Sequence, residues 1–559
     1  MTDSILHSGL DSRHVLPASF AQRRMWVLEQ LEDGAPTYNS QLGLRFTGPV
    51  DRDAIGAAVR QMVRRHEALR TTFDAAPDGV LSQVIHTELP AGLPSWTDLA
   101  DEPDPERALA ERIDAELRTP FDLATGPVLR AGLYRLAPEE HVLLVTLDHI
   151  TCDGWSMGLL HDDLVALYAT EATGAAPPPE PAVQYADFAV WQRDWLGGGE
   201  LDRQLDYWRR VLADPPPMVT FPAAGAAAAA PGTDRHTVVH PIADDLVAGL
   251  RALGRRHDTS LFVVLTAAFA TLFASYSGRT DLVLGTVVAN RNQVEIGDVV
   301  GMFANTVALR LDLSGHPDTA ELILRTRRAV LDAQAHENVP FDEVVTALDA
   351  GRATGRTPYF NAIVEHTDVE REPATVGAVR IDPMPIVTLP IPIDLVVNLR
   401  REAGSLAALW HHDPAAVSTD AVTVMWGHLL AVLTAMVDGS PLPLIDVVDV
   451  VAPATARPVV QPAPQPTAQR PDDRVLAAAT AAWCEVLGVT SVAADDDFFE
   501  LGGHSLAATR VASRLRNVLP VEVRTRLLFE YPVLTDFAAA IGRLPAGGHP
   551  DHSSGRSQR

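Results

Sequence analysis

Twenty residues, Ala452 to Pro471 (APATARPVVQPAPQPTAQRP), constrain the architecture of this chain most strongly. They have little apolar periodicity. Their prolines fix φ and remove N–H donors, which favours an extended, semi-rigid spacer. About 20 such residues at ~3.1 Å each reach roughly 60 Å. The stretch 452–471 is therefore expected to be an interdomain linker with a separate folding unit on each side. The full 559 residues are ample for this. The tail, 545–559, is polar and Gly/Ser-rich and is expected to be disordered.

Composition narrows the class. A hydrophobic fraction of 47% with 21% charged residues supports a large core. The net charge of −27 argues against nucleic acid and anionic membranes as partners. All 45 residues of the Lys+Arg count are arginine. With the alanine and proline richness, this suggests a GC-rich bacterial genome. No apolar run approaches the ~18–20 residues of a membrane span. The start, MTDSILHSGLDSRHV, lacks the basic and apolar regions of a secretory signal, so a cytoplasmic location is expected. Cys152 and Cys484 are too few and too far apart for a disulfide framework or a metal site.

Before the linker, strand and helix patterns mix. His141 to Leu147 (HVLLVTL) is a short apolar run, as in a buried strand. Met157, Leu160, Leu164 and Leu167 then recur at helical spacing. Between them lies DHITCDGWS, Asp148 to Ser156. His149 is thus expected on a strand-to-helix loop, a common place for chemistry in α/β folds. A histidine followed by an aspartate four residues on, then a glycine, has the parts of an acyl-transfer base. Leu261 to Leu272 reads as a helix. Leu282 to Val288 reads as a strand leading into Ala289-Asn290-Arg291-Asn292. Gly174 to Val183 is a Pro-rich break, and Asp214 to Pro231 a surface loop. His66 and Glu67 read as core support, and His411 and His412 show no ligand spacing.

After the linker everything reads as helix. Leu476, Ala479, Trp483, Val486 and Leu487 share one face. Ala508, Val511, Ala512 and Leu515 share another, and Leu534, Phe537 and Ile541 a third. Ser505 stands before the second of these, after two glycines that allow a tight turn. By residue type alone it is an N-cap serine. The surrounding DFFELGGHSL, Asp497 to Leu506, strongly resembles the attachment site of peptidyl carrier (thiolation) domains. The resemblance covers 472–544. It implies a small all-α four-helix bundle, with 4′-phosphopantetheine covalently attached to Ser505 by a phosphopantetheinyl transferase.

The part before the linker resembles the condensation domains of nonribosomal peptide synthetases. The segments that carry this are SFAQRRMW (19–26), RHEALRTTF (65–73), DHITCDG (148–154), YADFAVW (185–191), VGMFANT (300–306) and HENVPF (336–341), with a weaker echo in RTPYFN (356–361). The resemblance implies an α/β fold of two chloramphenicol-acetyltransferase-like subdomains in a V-shaped pseudo-dimer, 1–176 and 177–451. A tunnel between the halves would admit two pantetheine arms, with His149 at its centre. The implied reaction is acyl transfer from a carrier-bound thioester to an amine, or to a hydroxyl giving an ester. His149 would orient the amine or take its proton, and the Gly154 N–H would face the oxyanion. Asp148 and Asp153 would support the motif, Arg291 pairing with Asp153. Trp155 and Ser156 are expected to serve the helix start and packing.

One departure stands at Asp148, where the family carries a first histidine. Heterocyclization domains carry D-x-x-x-x-D-x-x-S, which Asp148, Asp153 and Ser156 also fit. Retained His149 and the Ser19–Trp26 segment favour ordinary condensation. A third alternative is a non-catalytic condensation-like platform that recruits a tailoring enzyme. The implied partners are an upstream donor carrier domain, a separate adenylation protein loading Ser505 in trans, and a downstream module or release enzyme. The products implied are antibiotic-like secondary metabolites.

Overall fold

The structure is a computed structural model of the chain. It describes residues 13–31, 38–76, 80–90, 92–221, 236–348, 359–367, 371–385, 387–388, 393–402, 404–440, 472–498, 501, 505–519, 521 and 523–544. The expected linker, 452–471, and the expected disordered tail, 545–559, lie outside these residues.

Two α/β halves precede the linker. In the first, a seven-stranded sheet runs β12 (Ala374–Val376), β13 (Val379–Pro383), β2 (Asn39–Thr47), β7 (Glu140–Asp148), β6 (Leu129–Ala137) and β5 (Ser95–Asp98), with β14 (Val387–Thr388) also on β2. A smaller sheet joins β1 (Arg13–Pro17), β4 (Leu81–His86) and β3 (Thr71–Ala75). Among the described residues, α1 (Phe20–Leu31), α2 (Arg52–Arg65), α3 (Pro105–Leu117) and α4 (Gly154–Thr173) belong here. The expected strand HVLLVTL is β7. Its residues from His141 to Asp148 are all buried, which is why it reads as a continuous apolar run rather than an alternation. Met157, Leu160, Leu164 and Leu167 all face the core from α4.

In the second half the sheet order is β10 (Asn305–Asp312), β9 (Asp281–Val288), β11 (Ala362–Thr367), β15 (Leu395–Glu402), β16 (Ser405–His412) and β8 (His236–Pro241). Its helices are α5 (Tyr185–Trp195), α6 (Leu201–Val211), α7 (Asp244–Arg256), α8 (Leu261–Ser277), α9 (Thr319–Gln334), α10 (Phe341–Ala347) and α11 (Thr419–Asp438). Ser260 caps α8, and its residues from Val263 to Ser275 are all buried, so this helix is apolar all round. The chain crosses the division expected at 176/177. The strands β12, β13 and β14 return to the first half, where β13 and β14 extend its sheet antiparallel to β2, with Ile381 opposite Phe46. These short strands join the sheet only through a strand distant in sequence, so local pattern could not assign them.

The helix α11 corrects one sequence expectation. It is 20 residues long with a mean hydropathy of 1.6 over its most apolar stretch, enough by length and composition to cross a membrane. It is instead a core helix of this half. Val422, Met425, Leu429, Val432, Leu433 and Met436 are buried against α8 and its neighbours.

After the linker, α12 (Asp473–Leu487), α13 (Ser505–Val518), α14 (Thr525–Glu530) and α15 (Leu534–Ile541) form a bundle. Trp483, fully buried, meets Phe498 edge-on at 5.0 Å and lies 6.0 Å from Phe537. This bundle packs through α13 and α14 against α1.

Candidate active site

The site is built where β7 ends. Asp148, the last residue of the strand, accepts a hydrogen bond from the Ile150 N–H at 2.9 Å through its carboxylate. Its backbone carbonyl accepts from the Thr151 hydroxyl at 2.7 Å. These bonds turn the chain into a single helical turn over His149–Thr151, and the His149 N–H donates to the Tyr38 carbonyl at 2.9 Å. Asp153 then caps α4, accepting from the Ser156 N–H at 2.8 Å. So the aspartate and glycine after His149 have a local reason: they start a helix directly beneath it.

The His149 Nδ1 lies 2.5 Å from the Cys152 carbonyl oxygen. A carbonyl can only accept, so Nδ1 carries the proton and the Nε2 lone pair of the neutral ring is left available. The ring is half-buried, while Gly154 at the first position of α4 is exposed. A side-chain carbon there would meet nothing within 4 Å. The first backbone N–H groups of a helix have no intrahelical partner and form the positive end of its dipole. The His149 ring and the first turn of α4 are thus joined by the four residues Ile150 to Asp153. Cys152 is fully buried, and burial raises its thiol pKa, which disfavours the thiolate. Among the described residues no group of three or more His, Cys, Asp or Glu side chains has a metal-binding arrangement.

Arg291 joins this site to the second half. Its guanidinium donates to the Asp153 carboxylate at 3.2 Å, to the Ser156 hydroxyl at 2.9 Å and to the carbonyls of Ile296 and Val299 at 2.7 Å each. It lies 4.0 Å above the Phe303 ring. The pair is buried, with side-chain exposures of 4% and 2% for Arg291 and Asp153. Burial lowers the Arg291 pKa, and Asp153 opposes this. Asp153 also accepts from the Phe303 and Ala304 N–H groups at 3.1 and 3.2 Å. Sequence reasoning placed Trp155 and Ser156 in helix start and packing alone. Both also cross to the second half: the Trp155 Nε1–H donates to the Gly297 carbonyl at 2.9 Å, and the Ser156 hydroxyl to the Gly301 carbonyl at 2.8 Å. Nearby, the Tyr185 hydroxyl meets the Ser19 hydroxyl at 2.7 Å, so two of the resembling segments touch. His66 supports the fold, its Nε2 bonded to Asp163 at 2.6 Å beside the Arg65–Asp163 pair. Glu29, buried on α1 near Asp148, carried no sequence signal and was missed.

Ser505 stands apart as the first residue of α13. The preceding residues 502–504 lie outside the described ones. A helix N-terminus suits a phosphodiester, because its free N–H groups and dipole favour an anion.

A family model described as "Condensation domain" matches residues 12–389, and one described as "Phosphopantetheine attachment site" matches 478–541. The chain belongs to the condensation domain family. It joins this domain to a phosphopantetheine-bearing carrier domain, as in nonribosomal peptide synthetases. Phosphinothricin tripeptide synthetase PhsC of Streptomyces viridochromogenes is 39% identical over 349 residues, covering 62% of this chain and 32% of that protein. Malpinin synthetase of Mortierella alpina is 33% identical over 431 residues, covering 77% of this chain and 6% of that protein. The chain thus spans a minor fraction of these relatives' length. Relatives from both fungi and bacteria leave the bacterial expectation without confirmation. Among solved structures, the X-domain in its complex with OxyB from teicoplanin biosynthesis superposes with a TM-score of 0.68 at 26% identity, covering 80% of this chain and 98% of that one. The first condensation domain of the calcium-dependent antibiotic synthetase gives 0.65 at 20%, covering 78% and 99%. The chloramphenicol-acetyltransferase-like fold is shared with these condensation domains.

Proposed function

We propose that this chain is a condensation–carrier didomain that transfers a carrier-bound acyl or peptidyl thioester onto an amine, forming an amide. The observation that carries this is the His149 ring, held by the Cys152 carbonyl with its Nε2 lone pair free beside the open N-terminus of α4. Bound to Ser505, 4′-phosphopantetheine supplies a thiol on a long arm, on which an acyl group is held as a thioester. His149 orients the acceptor amine and takes one proton from it as nitrogen bonds to the thioester carbonyl carbon. The helix start at Gly154 faces the carbonyl oxygen as it gains negative charge. When the C–S bond breaks, the His149 imidazolium returns its proton to the departing sulfur, so the residue ends as it began. Asp153 and Arg291 position the loop and clasp the two halves.

The packing of α13 and α14 on α1 supports delivery of the acceptor by the chain's own carrier. The bundle lies against a helix that also packs on the His149 turn. Ser505 is to be loaded by a separate adenylation protein, with the donor arriving on an upstream carrier.

A second reading has one observation in its favour. The teicoplanin X-domain, found in complex with OxyB, resembles this fold at 26% identity. On that reading the chain is a platform for a tailoring enzyme. A heterocyclization-type reaction is the further alternative raised by Asp148. One experiment separates all three. The holo chain is loaded with candidate aminoacyl groups, mixed with a loaded donor carrier, and followed by intact mass. A dipeptidyl adduct that drops about 10²–10⁴-fold in His149→Ala supports condensation, the range typical of a lost general base. Equal adduct in that variant removes His149 from the reaction. Absence of adduct with tight oxygenase binding supports the platform, and a further loss of water from Cys- or Ser-loaded material supports cyclization.

A further inference from the structure

The second half carries a carboxyl group that the chemistry above does not use. One face of its sheet is covered by helices. Trp410 on β16 meets Phe269 of α8 at 5.7 Å, and His240 on β8 stacks on Trp426 of α11 at 4.8 Å. Side chains directly opposite on neighbouring strands share a face. Ala308, Gly285, Ile363, Val396, His411 and Thr237 stand opposite one another in turn across the sheet, and His411 alternates with Trp410, so they lie on the other face. Thr306 shares that face, two residues before Ala308, and its hydroxyl accepts from Arg24 on α1 at 3.2 Å. This face therefore looks toward the first half. It is open in places, since Val287 and Val239 on it are 37% and 51% exposed.

Glu365 lies on this face, two residues after Ile363, and the Asn398 Nδ2–H donates to its carboxylate at 2.7 Å. The other acids in this register each meet an arginine. Asp281 pairs with Arg310 at 2.8 Å, Asp312 with Arg325 at 3.7 Å, and Glu402 with Arg400. Among the described residues Glu365 alone of these acids has no ion pair. Arg400, whose charge reaches it, is already tied to Glu402. The Asn398 Oδ1 is buried without a donor. Burial pushes Glu365 up to about 7, against the pull of the Asn398 amide and Arg400. Burial pushes the neighbouring His411 down to about 4, so that ring adds no positive charge at neutral pH.

The place suits a ligand. The neighbouring strands β9, β11 and β15 run parallel, and ligands of such sheets bind beyond the carboxyl ends of the strands. Glu365 is level with Val287 near the carboxyl end of β9, one strand away at ~4.8 Å. Four residues after Val287 comes Arg291, which bonds to Asp153 at the start of α4.

We propose that Glu365 and Asn398 form a specificity site on the wall facing the first half, and that it takes the basic side chain of a carrier-bound substrate. The inference rests on the reading of this chain as one that condenses carrier-bound substrates, and it names the class of residue they carry. An ammonium group has three N–H donors and no acceptor. It gives one hydrogen to the Glu365 carboxylate and another to the Asn398 Oδ1, and it supplies the charge that Glu365 lacks. Such charge-assisted bonds are roughly twice as strong as neutral ones. An alkyl side chain of the same length leaves both acceptors unpaired, which is costly in a buried place.

The test uses the full holo chain and two side chains, lysine and norleucine, the second being the first without its ammonium. In one arm Ser505 carries a lysyl or a norleucyl group and the donor carrier an N-acetylalanyl group. In the other the donor carrier carries N-acetyllysyl or N-acetylnorleucyl and Ser505 a glycyl group. Lysine should outpace norleucine by about tenfold or more in one arm, and that arm shows which substrate the site reads. Glu365→Gln should cut this preference by about tenfold while leaving the norleucine rate within about threefold. Equal rates for the two side chains in both arms would overturn the proposal, as would an undiminished preference in Glu365→Gln. The comparison within the unaltered chain stands whether or not the variant folds. If no substrate pair forms product, the condensation reading fails. Calorimetry with the N-acetyllysyl and N-acetylnorleucyl amides of aminopantetheine then decides the site: a Kd about tenfold lower for the lysyl amide supports it, and equal Kd values overturn it.

Discussion

Replacing Arg291 by alanine tests how the two halves are held. The arginine and Asp153 are almost fully buried and belong to different halves. Removal strips the guanidinium from Asp153, from Ser156 and from two backbone carbonyls, and takes a cation from the Phe303 face. Breaking a buried ion pair from one side typically costs about 3–5 kcal/mol, because the other charge stays behind. Asp153 keeps three N–H donors, from Ser156, Phe303 and Ala304. That places the cost nearer ~3 than ~5 kcal/mol. For a cooperative unit of roughly 200 residues, this is a fall in Tm of about 6–12 °C. The assay is calorimetry of the single variants and the double variant with Asp153→Ala, read as a double-mutant cycle. A coupling energy of about 2 kcal/mol or more is expected for groups that share one network. Arg291→Lys should rescue little, since an ammonium cannot span the same set of acceptors. A loss below about 1 kcal/mol, or additive single effects, would refute the claim that this pair clasps the halves.

Three further outcomes follow from the geometry. Gly301→Ala should destabilise the junction by about 1–3 kcal/mol or more by overpacking, because a Cβ there would lie 1.8 Å from the Tyr185 ring; thermal unfolding reads this directly. Ser505→Ala should leave the far-UV spectrum and Tm unchanged but abolish the mass gain on treatment with a phosphopantetheinyl transferase and coenzyme A; a persistent gain would move the attachment site elsewhere. Cys152→Ser should leave the neutral-pH condensation rate within about threefold while lowering Tm, since the buried thiol acts by packing; a rate collapse with an intact fold would give Cys152 a chemical role.

Much of the His149 turn was legible because its causes are local. The apolar run of β7 and the helix face of α4 are both encoded within about 30 contiguous residues, through short-range bonding and burial, whereas the cap at Asp153 came only with the structure. The carrier bundle was legible for the same reason, since helix faces repeat within a few turns. The ion pair of Arg291 with Asp153 was expected from the family resemblance alone, because no local pattern links positions 138 residues apart. Three things escaped sequence altogether. The strands β12, β13 and β14 cross into the first sheet because an edge strand is completed by whichever partner the fold presents. Trp155 and Ser156 reach the second half because a loop distant in sequence brings acceptors to them.

The third is the burial of two acids, Glu29 on α1 and Asp148 at the end of β7. By itself the sequence determined that Asp148 precedes His149 and that a helix begins just after them. What charge Asp148 carries, and whether it can hold the turn, was decided by tertiary structure alone. A carboxylate takes its protonation state from the dielectric and the charges packed around it, and burial raises Asp148 to about 6, against the pull of the Ile150 N–H, His149 and Arg130.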